Sequence, residues 1–594
     1  MRHQSLIGRA VALVFFGIAT ASLGMLTAQE AGAAPQSSDG PATLPEIYIQ
    51  TALSDTPAPG KTWEANTSAD FQDRLNRAQC GDVIKLQAGA TFAGQFYLPA
   101  KSCDDQHWII VRTAASDSAL PPEGTRLTPC YAGVSSLPAR PALHCLPGNS
   151  AGTSVLAKID GLPPLDSHGK AVDHYRFVGL EITHPVAAQA PMLLGLGVGS
   201  NHIVVDRCWI HGNPTDGTQR GMALNGSYLA VVDSTITDIH MVATDTQGIA
   251  AWTGTGPLKI VNNFIEGGSS SIGFGGAGSE VTPRDIEIRG NHLFKPLSWK
   301  LGDPNFIGVT FNCKVSLESK NSSRVLIEGN ILENTWGGPQ GGDGDAIWFG
   351  PKNQNNVCPR CEVNDVTFRY NIIRHAGAGI YMFDAPSDAG GIAQPASRYS
   401  IHDNLLQDIR MQYAGPGTGK GLLFRFLGIP RFLPPRDVSI QHNTGVTDGG
   451  ILQLLSTPEA PLINFVFQDN LISNGDTAIS GCRHSFGTDV LESCAHGYVF
   501  VNNVIVDSAG DFPKSNGSFK KDKDMKFNLY PKKWRDVGLA STGENSAANF
   551  RLCSAPNQPA ATCSSASPYA GAGTDSRDVG ADVSKIYQLT AKAE

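Results

Sequence analysis

Val325-Leu326-Ile327-Glu328-Gly329-Asn330-Ile331-Leu332 is one copy of a phrase that returns along most of this chain. Its pattern is apolar–x–apolar–x–x–Asn–apolar–apolar. Other copies place the Asn at Asn263, Asn291, Asn371, Asn404, Asn443, Asn470 and Asn503, and degenerate copies put Leu180, Cys208 and Ser234 in that slot. Successive slots lie 26 to 41 residues apart. Repeats in this range mark a solenoid, in which each unit buries its apolar face by stacking on its neighbours. The alternation of apolar residues makes the unit a strand. A strand, a tight turn at Asn and a second short strand make one coil of a parallel β-helix. Asn suits such a turn because it tolerates the left-handed region and its amide can bond nearby backbone. Stacked Asn amides can also form a ladder. Eleven slots at about 4.8 Å per strand give a stack of roughly 50 Å.

A second row of short strands lies between the Asn phrases: 221–226, 249–254, 271–276, 315–320, 346–351, 379–384, 422–427 and 451–456. Stacking places them side by side as another sheet. Four-strand propeller blades do not fit coils that supply two or three strands each. At 594 residues several ordinary domains would be the prior, but the repeats argue for one long body.

Residues 1–33 read as a signal peptide, with Arg2, His3 and Arg9 before the apolar run Ala10 to Leu26 and an Ala31-Gly32-Ala33 exit. Residues 34–60 read as a flexible linker, and 61–170 as an N-terminal cap and first coils, with a short helix from Ala69 to Ala78. Residues 171–510 hold the regular coils, and 511–594 an exposed loop (512–536) and a C-terminal cover. The protein is expected to be secreted or periplasmic and a monomer, with no stable membrane insertion. Net charge is −8 and the pI near 6.0, which excludes a basic nucleic-acid footprint. Twelve cysteines suit an oxidising compartment. Local spacing pairs Cys80–Cys103, Cys130–Cys145, Cys358–Cys361, Cys482–Cys494 and Cys553–Cys563, leaving Cys208 as a buried thiol and Cys313 over.

The Gly81-Asp82-x-Ile84-x-Leu86 entry, the Asn-punctuated coils and the export signal resemble the pectin-lyase-like superfamily of right-handed parallel β-helices. The phrases at 245–268, 285–300, 318–336 and 365–380 make the chain similar to a group of bacterial secreted β-helix proteins of unassigned activity. The resemblance implies an all-β solenoid that acts on or binds a polysaccharide.

Lys314-Val315-Ser316-Leu317-Glu318-Ser319-Lys320 is the strongest chemical cluster. With Val315 and Leu317 inward, period 2 sends Lys314, Ser316, Glu318 and Lys320 outward together. Arg324 follows. The resemblance to alginate- and chondroitin-type lyases implies Lys320, Lys314 and Arg324 as catalytic residues on a uronate sugar. Glu318 would favour the charged form of a neighbouring lysine, so an electrostatic clamp stands beside the base role, and a solvated salt-bridge row beside both. Asp343 and Asp345 are candidate calcium ligands, with turn-forming Asp in a Gly-rich loop as the alternative. Trp252 and Trp348 can stack on sugar faces, with Trp299 and Trp336 as further aromatics near the groove. His375 and Arg425 complete the substrate-binding set. The groove is expected across the second row, from Trp252 through Lys320 to Asp384. The leading expectation is β-elimination on a uronate-containing glycan. A hydrolase or epimerase on the same fold, and a non-catalytic glycan-binding surface protein, are the alternatives.

Overall fold

Each Asn phrase folds as one corner of a coil. The alternating residues before the Asn form a strand, a tight turn follows, and the apolar pair after the Asn begins a second strand. A loop of variable length leads to a third strand, and a short turn starts the next coil. Around Asn330 these strands are Ser322–Glu328, Ile331–Thr335 and Asp345–Phe349. The computed structural model of the chain describes residues 37–143, 145, 153–337, 343–383, 391–414, 421–428, 435–473, 475, 478–483, 485–506, 528, 529, 537 and 567–594. The expected signal peptide, the expected Cys553–Cys563 pair and nearly all of the expected 512–536 loop lie outside these residues.

Corresponding strands stack in parallel into three sheets of 15, 13 and 13 strands, here called first, second and third in the order a coil visits them. The fold is a right-handed parallel β-helix. Inward columns such as Ile288–Ile327–Phe368–Ile401–Ile440 in the first sheet and Ile272–Leu317–Ile347–Ile380 in the third fill the interior. These side chains are at most 1% exposed, and burying each stabilises the fold by roughly 1.5–3 kcal/mol.

The Asn slots do form a ladder. Asn330 donates from Nδ2 to Asn371 Oδ1 and to the Ile288 carbonyl, each at 2.9 Å, and its backbone N–H donates to the same Oδ1 at 2.9 Å. The pattern runs unbroken from Asn263 to Asn528, with Nδ2 to Oδ1 distances of 2.8–3.1 Å. Ser234 and Cys208 extend it upstream through backbone N–H donors at 2.9 and 3.0 Å. The left-handed residue of the turn is not the Asn but the one before it. Gly329, Tyr370, Asp403, His442 and Asp469 have φ of 64°, 55°, 53°, 48° and 56°. The Asn is selected for its amide, which reaches two neighbouring coils, rather than for its backbone.

A second left-handed column runs up the outer side of the first sheet, near the start of each strand. It holds His174, His202, Tyr228, Asp285, Arg324, Asp365, Arg398, Asp437 and Asn464, with φ between 51° and 58°. Neighbours in this column pair across coils. Arg324 clasps Asp285 with two bonds of 2.7 Å, and Arg398 clasps Asp365 at 2.7 and 2.6 Å.

The helix Ser68–Arg77 closes the N-terminal end, started by a capping box between Thr67 and Asp70. Its Phe71 and Leu75 are buried, Phe71 lying 5.8 and 4.6 Å from Phe92 and Phe96. Disulfides join Cys80–Cys103, Cys130–Cys145, Cys358–Cys361 and Cys482–Cys494, while Cys208 and Cys313 are buried thiols.

The two ends of the chain depart from expectation. Residues from Ser37 onward are no free linker, because polar contacts fix them down the outer side of the first sheet. Asp39 bonds Arg369 and His402, the Thr43 N–H bonds Asp365, the Glu46 N–H bonds Asp285, and the Ile49 carbonyl accepts from Lys259. The C-terminal cover is lateral. Residues 567–594 descend the outer side of the second sheet, where Val583, Ile586 and Ala593 pack on Ile331, Ile372, Leu405 and Val446. Arg126 holds its last turn through the Lys592 and Ala593 carbonyls. Neither strap crosses the third sheet. Among the described residues, no helix is long and apolar enough to cross a membrane.

Candidate functional site

The third sheet presents an outward column whose side chains change character along the stack. Its members are Ala223, Ala250, Gly273, Glu318, Trp348, Tyr381, Arg425, Gln453 and Ser480, in register from coil to coil. From Ala250 to Arg425 the column spans five steps of about 4.8 Å, roughly 24 Å. Where it passes from Glu318 to Gly273 and Ala250 the side chains shrink, and the face sinks into a cleft of about 350 Å³. Arg220, Asp245, Gln247, Trp252, Glu318 and Lys320 line it, with Gln354 at its edge.

Five charged groups meet here. Lys320 Nζ lies 3.0 Å from Glu318, whose side chain is 6% exposed. Lys314 Nζ lies 2.7 Å from Asp245 and reaches the cleft through it. Burial pushes the Asp245 carboxyl up, but Lys314 outweighs it, with help from Lys320 and Asn312, and holds it below the usual carboxylate range. Arg220 is the fifth. Its guanidinium carbon lies 5.1 Å over the Trp252 ring. Its Nε is buried with no hydrogen-bond partner, and among the described residues no carboxylate lies within salt-bridge distance of it. Burial lowers its pKa, with Asp245 opposing. A cation stacked on an indole, with no carboxylate within salt-bridge distance among the described residues, has hydrogen-bonding capacity to offer an incoming anion.

Farther up the column is an aromatic shelf. Trp348, Tyr381 and Phe383 meet at centroid distances of 5.0–6.4 Å, and Arg425 lies 4.3 Å over Tyr381. Arg425 also bonds Asp345 at 2.8 Å and Asp343 at 3.0 Å. Its guanidinium supplies the positive charge that calcium would bring, so the two aspartates do not present themselves as a calcium pair. Asp345 is fully buried, and that burial raises its pKa against the pull of Arg425.

The sequence-predicted residues therefore divide. Lys320, Glu318, Trp252, and Lys314 through Asp245, form the cleft; Trp348, Arg425, Asp343 and Asp345 form the shelf. Ser316 is buried and bonds Thr335 instead of projecting, because the strand narrows to Leu317–Ser319. Arg324 is on the first sheet, clasping Asp285, because the Asn321 corner separates it from Lys320. His375 is on the second sheet, beside Glu333 at 3.3 Å and the Tyr413 ring. Trp299 and Trp336 are core residues packed with Phe311 and Cys313. Asp384 lies outside the described residues. Sequence reasoning missed Arg220, which opens the strand Arg220–Ala223 three coils before Leu317–Ser319, across from Gln247. The signal was a lone cation at the head of a third-row strand.

The three parallel sheets and their core columns define a parallel β-helix. No family model and no curated protein matches the chain. Among solved structures, a mannuronic-acid-specific polysaccharide family 6 lyase from human gut microbiota shares 13% identity over 79% of this chain and 91% of that chain, with a TM-score of 0.44. An alginate lyase from Paenibacillus sp. str. FPU-7 shares 13% over 73% and 97%, at 0.27. A family 28 exopolygalacturonase from Yersinia enterocolitica shares 11% over 79% and 78%, at 0.35. At such identities the chemistry of this site is read from its own residues.

Proposed function

We propose that the outer face of the third sheet binds an acidic, uronate-containing polysaccharide and cleaves it by β-elimination. Arg220 is the observation that carries this reading: a half-buried guanidinium on the Trp252 ring, in a cleft, without an anionic partner among the described residues. A uronate carboxylate supplies that partner, and the sugar face suits the indole. Trp348 and Tyr381 extend the aromatic surface along the same column for further sugars.

The reaction passes the proton beside the carboxylate to a base, here the Glu318 carboxylate lining the cleft. The C–H electron pair forms the double bond, while the 4-linked sugar leaves with its bonding pair and takes up a proton from water. Neutralising the carboxylate stabilises the charge that develops. Arg220 does this in concert with Lys314 and Lys320. Their ion pairs with Asp245 and Glu318, at 2.7 and 3.0 Å, hold both ammonium groups beside the cleft, where a substrate carboxylate can meet them. Lys320 and Lys314 thus belong with the substrate clamp.

Unsaturated-uronate absorbance with alginate, pectate and glycosaminoglycans as substrates tests the proposal. Arg220→Ala is expected to lose about 100-fold or more in kcat/KM. Arg324→Ala, on another sheet, is expected to retain activity. Equal loss in both variants, or none in Arg220→Ala, overturns the assignment. Binding without product marks a glycan-binding protein. Reducing ends without unsaturation mark a hydrolase, with Asp345, its pKa raised by burial, as the acid to test by Asp345→Asn.

A further inference from the structure

At the N-terminal end of the first sheet, the left-handed column begins with three rings in place of the Asp–Arg clasps found farther up. His174, His202 and Tyr228 come from consecutive coils and stack face to face, His174 to His202 at 4.5 Å and 3°, His202 to Tyr228 at 4.5 Å and 6°. Each imidazole is oriented by the residue before it. His174 Nδ1 lies 3.2 Å from Asp173 Oδ1, and His202 Nδ1 lies 2.7 Å from Asn201 Oδ1. Both Nε2 atoms then converge on one oxygen, Asp105 Oδ1, at 3.2 and 3.6 Å. The loop carrying Asp105 is held in place by the Cys80–Cys103 disulfide and by the Cys103 N–H, which bonds Asp173 at 3.1 Å.

With Nδ1 donating to Asp173 and Asn201, each Nε2 turns a lone pair toward a carboxylate oxygen. Three acceptors facing one another need positive charge between them. Protonating both rings would set two imidazolium cations face to face at van der Waals separation. One cation shared by all three atoms meets the need. All three donor atoms lie within 4.8 Å of one another. A tetrahedral ion with bonds of ~2.0–2.1 Å places its ligands roughly 3.3 Å apart, and the oxygen lies 3.2 and 3.6 Å from the two nitrogens, so small ring rotations about the Cβ bonds close the site on an ion.

We propose that Asp105, His174 and His202 bind a divalent transition-metal ion of the zinc type. Two imidazoles and one carboxylate select a borderline cation over calcium or magnesium, which take oxygen ligands. Asp173 and Asn201 are the outer partners that fix ring orientation, as carboxylates and carbonyls do around bound zinc. The ion pins the Asp105 loop onto the solenoid. It lies on a different sheet from the polysaccharide cleft, so neither proposal depends on the other. A second His/Asp cluster, His442 with Asp469 and Asp575, is a weaker candidate because its carboxylates already accept bonds from Asn502, Thr574 and Arg577.

Untagged full-length protein, stripped with chelator, is titrated with Zn²⁺ by calorimetry and with Co²⁺ by visible absorption. One ion per chain is expected, with a nitrogen–oxygen Co²⁺ spectrum. Trp108, 5.0 Å from the His174 ring, provides a fluorescence change that Trp108→Phe removes. Asp105→Asn, an exposed change that leaves the core intact, is expected to weaken Zn²⁺ by about 100-fold, and Asn201→Ala by about 10-fold. Absence of binding by the unaltered protein overturns the proposal. So does Zn²⁺ affinity that survives Asp105→Asn and His202→Gln together, or that disappears only in His442→Gln.

Discussion

Asn371 accepts two bonds and gives two within the ladder, so its truncation affects more than its own side chain. Asn371→Ala leaves the Asn330 backbone N–H without its Oδ1 acceptor and removes donors to Asn404 and to the Ile327 carbonyl. Each buried polar group left unpaired costs about 1–3 kcal/mol. A loss of roughly 2–5 kcal/mol is expected, read as a lower urea midpoint with hydrogen exchange accelerated first in the coils flanking residue 371. A midpoint unchanged from the parent would refute the ladder's energetic role. Arg220 and Arg324 make the other residue-scale contrast. Both are arginines near third-sheet strands in sequence, yet one is stacked on Trp252 with no carboxylate in salt-bridge reach among the described residues and the other clasps Asp285. Activity loss should follow the first alone.

At the scale of elements, the N-terminal strap is held at its far end by His402. Burial works against the imidazolium, but Asp39 and Asp403, at 2.9 and 2.8 Å, outweigh it and push the pKa from 6.5 up to about 9. A pKa raised by folding stabilises fully below the unfolded value and is lost as pH rises through the folded one. The stabilisation shared by Asp39 and Asp403 is therefore fully present below about pH 6.5 and is lost through about pH 9, on the order of 3 kcal/mol in all, of which strap docking carries the Asp39 part. Amide exchange of residues 38–46, corrected for intrinsic rates, should accelerate across that window and show no such step in His402→Gln.

The strands and corners were legible in the sequence because a short period and a repeated Asn state them directly. The straps were not. Their contacts join polar residues hundreds of positions apart, and a polar lead-in docked through backbone N–H groups has the composition of a linker. The site was half legible. Lys314, Glu318 and Lys320 belong to one short segment around the strand Leu317–Ser319, and alternation grouped them. Arg220 joins them only through the register of coils 26 to 41 residues long, which no local pattern encodes. Arg324 was assigned to the cleft by nearness in sequence, which a corner at Asn321 makes misleading.

For the whole molecule, the C-terminal strap covers an apolar strip on the second sheet formed by Ile331, Ile372, Leu405 and Val446. Truncation before residue 567 would expose that strip while leaving the third-sheet cleft in place. The truncated chain is expected to bind a hydrophobic dye and self-associate, as contiguous exposed apolar surface does, while still binding the glycan that the full chain binds. Light scattering and a dye titration check the first outcome, and a glycan pull-down the second.

The straps also impose an order of assembly. Asp39 meets His402 across 363 residues, and Arg126 meets Ala593 across 467. A stack that grows coil on coil needs only nearest neighbours, yet one closure waits until His402 has been made and the other until nearly all of the polypeptide exists. The segment that starts at Ser37 is therefore made early and secured late. Contacts of such long sequence separation are slow to form, so a refolding chain should pass through a stage with its coils built and both ends still accessible to protease.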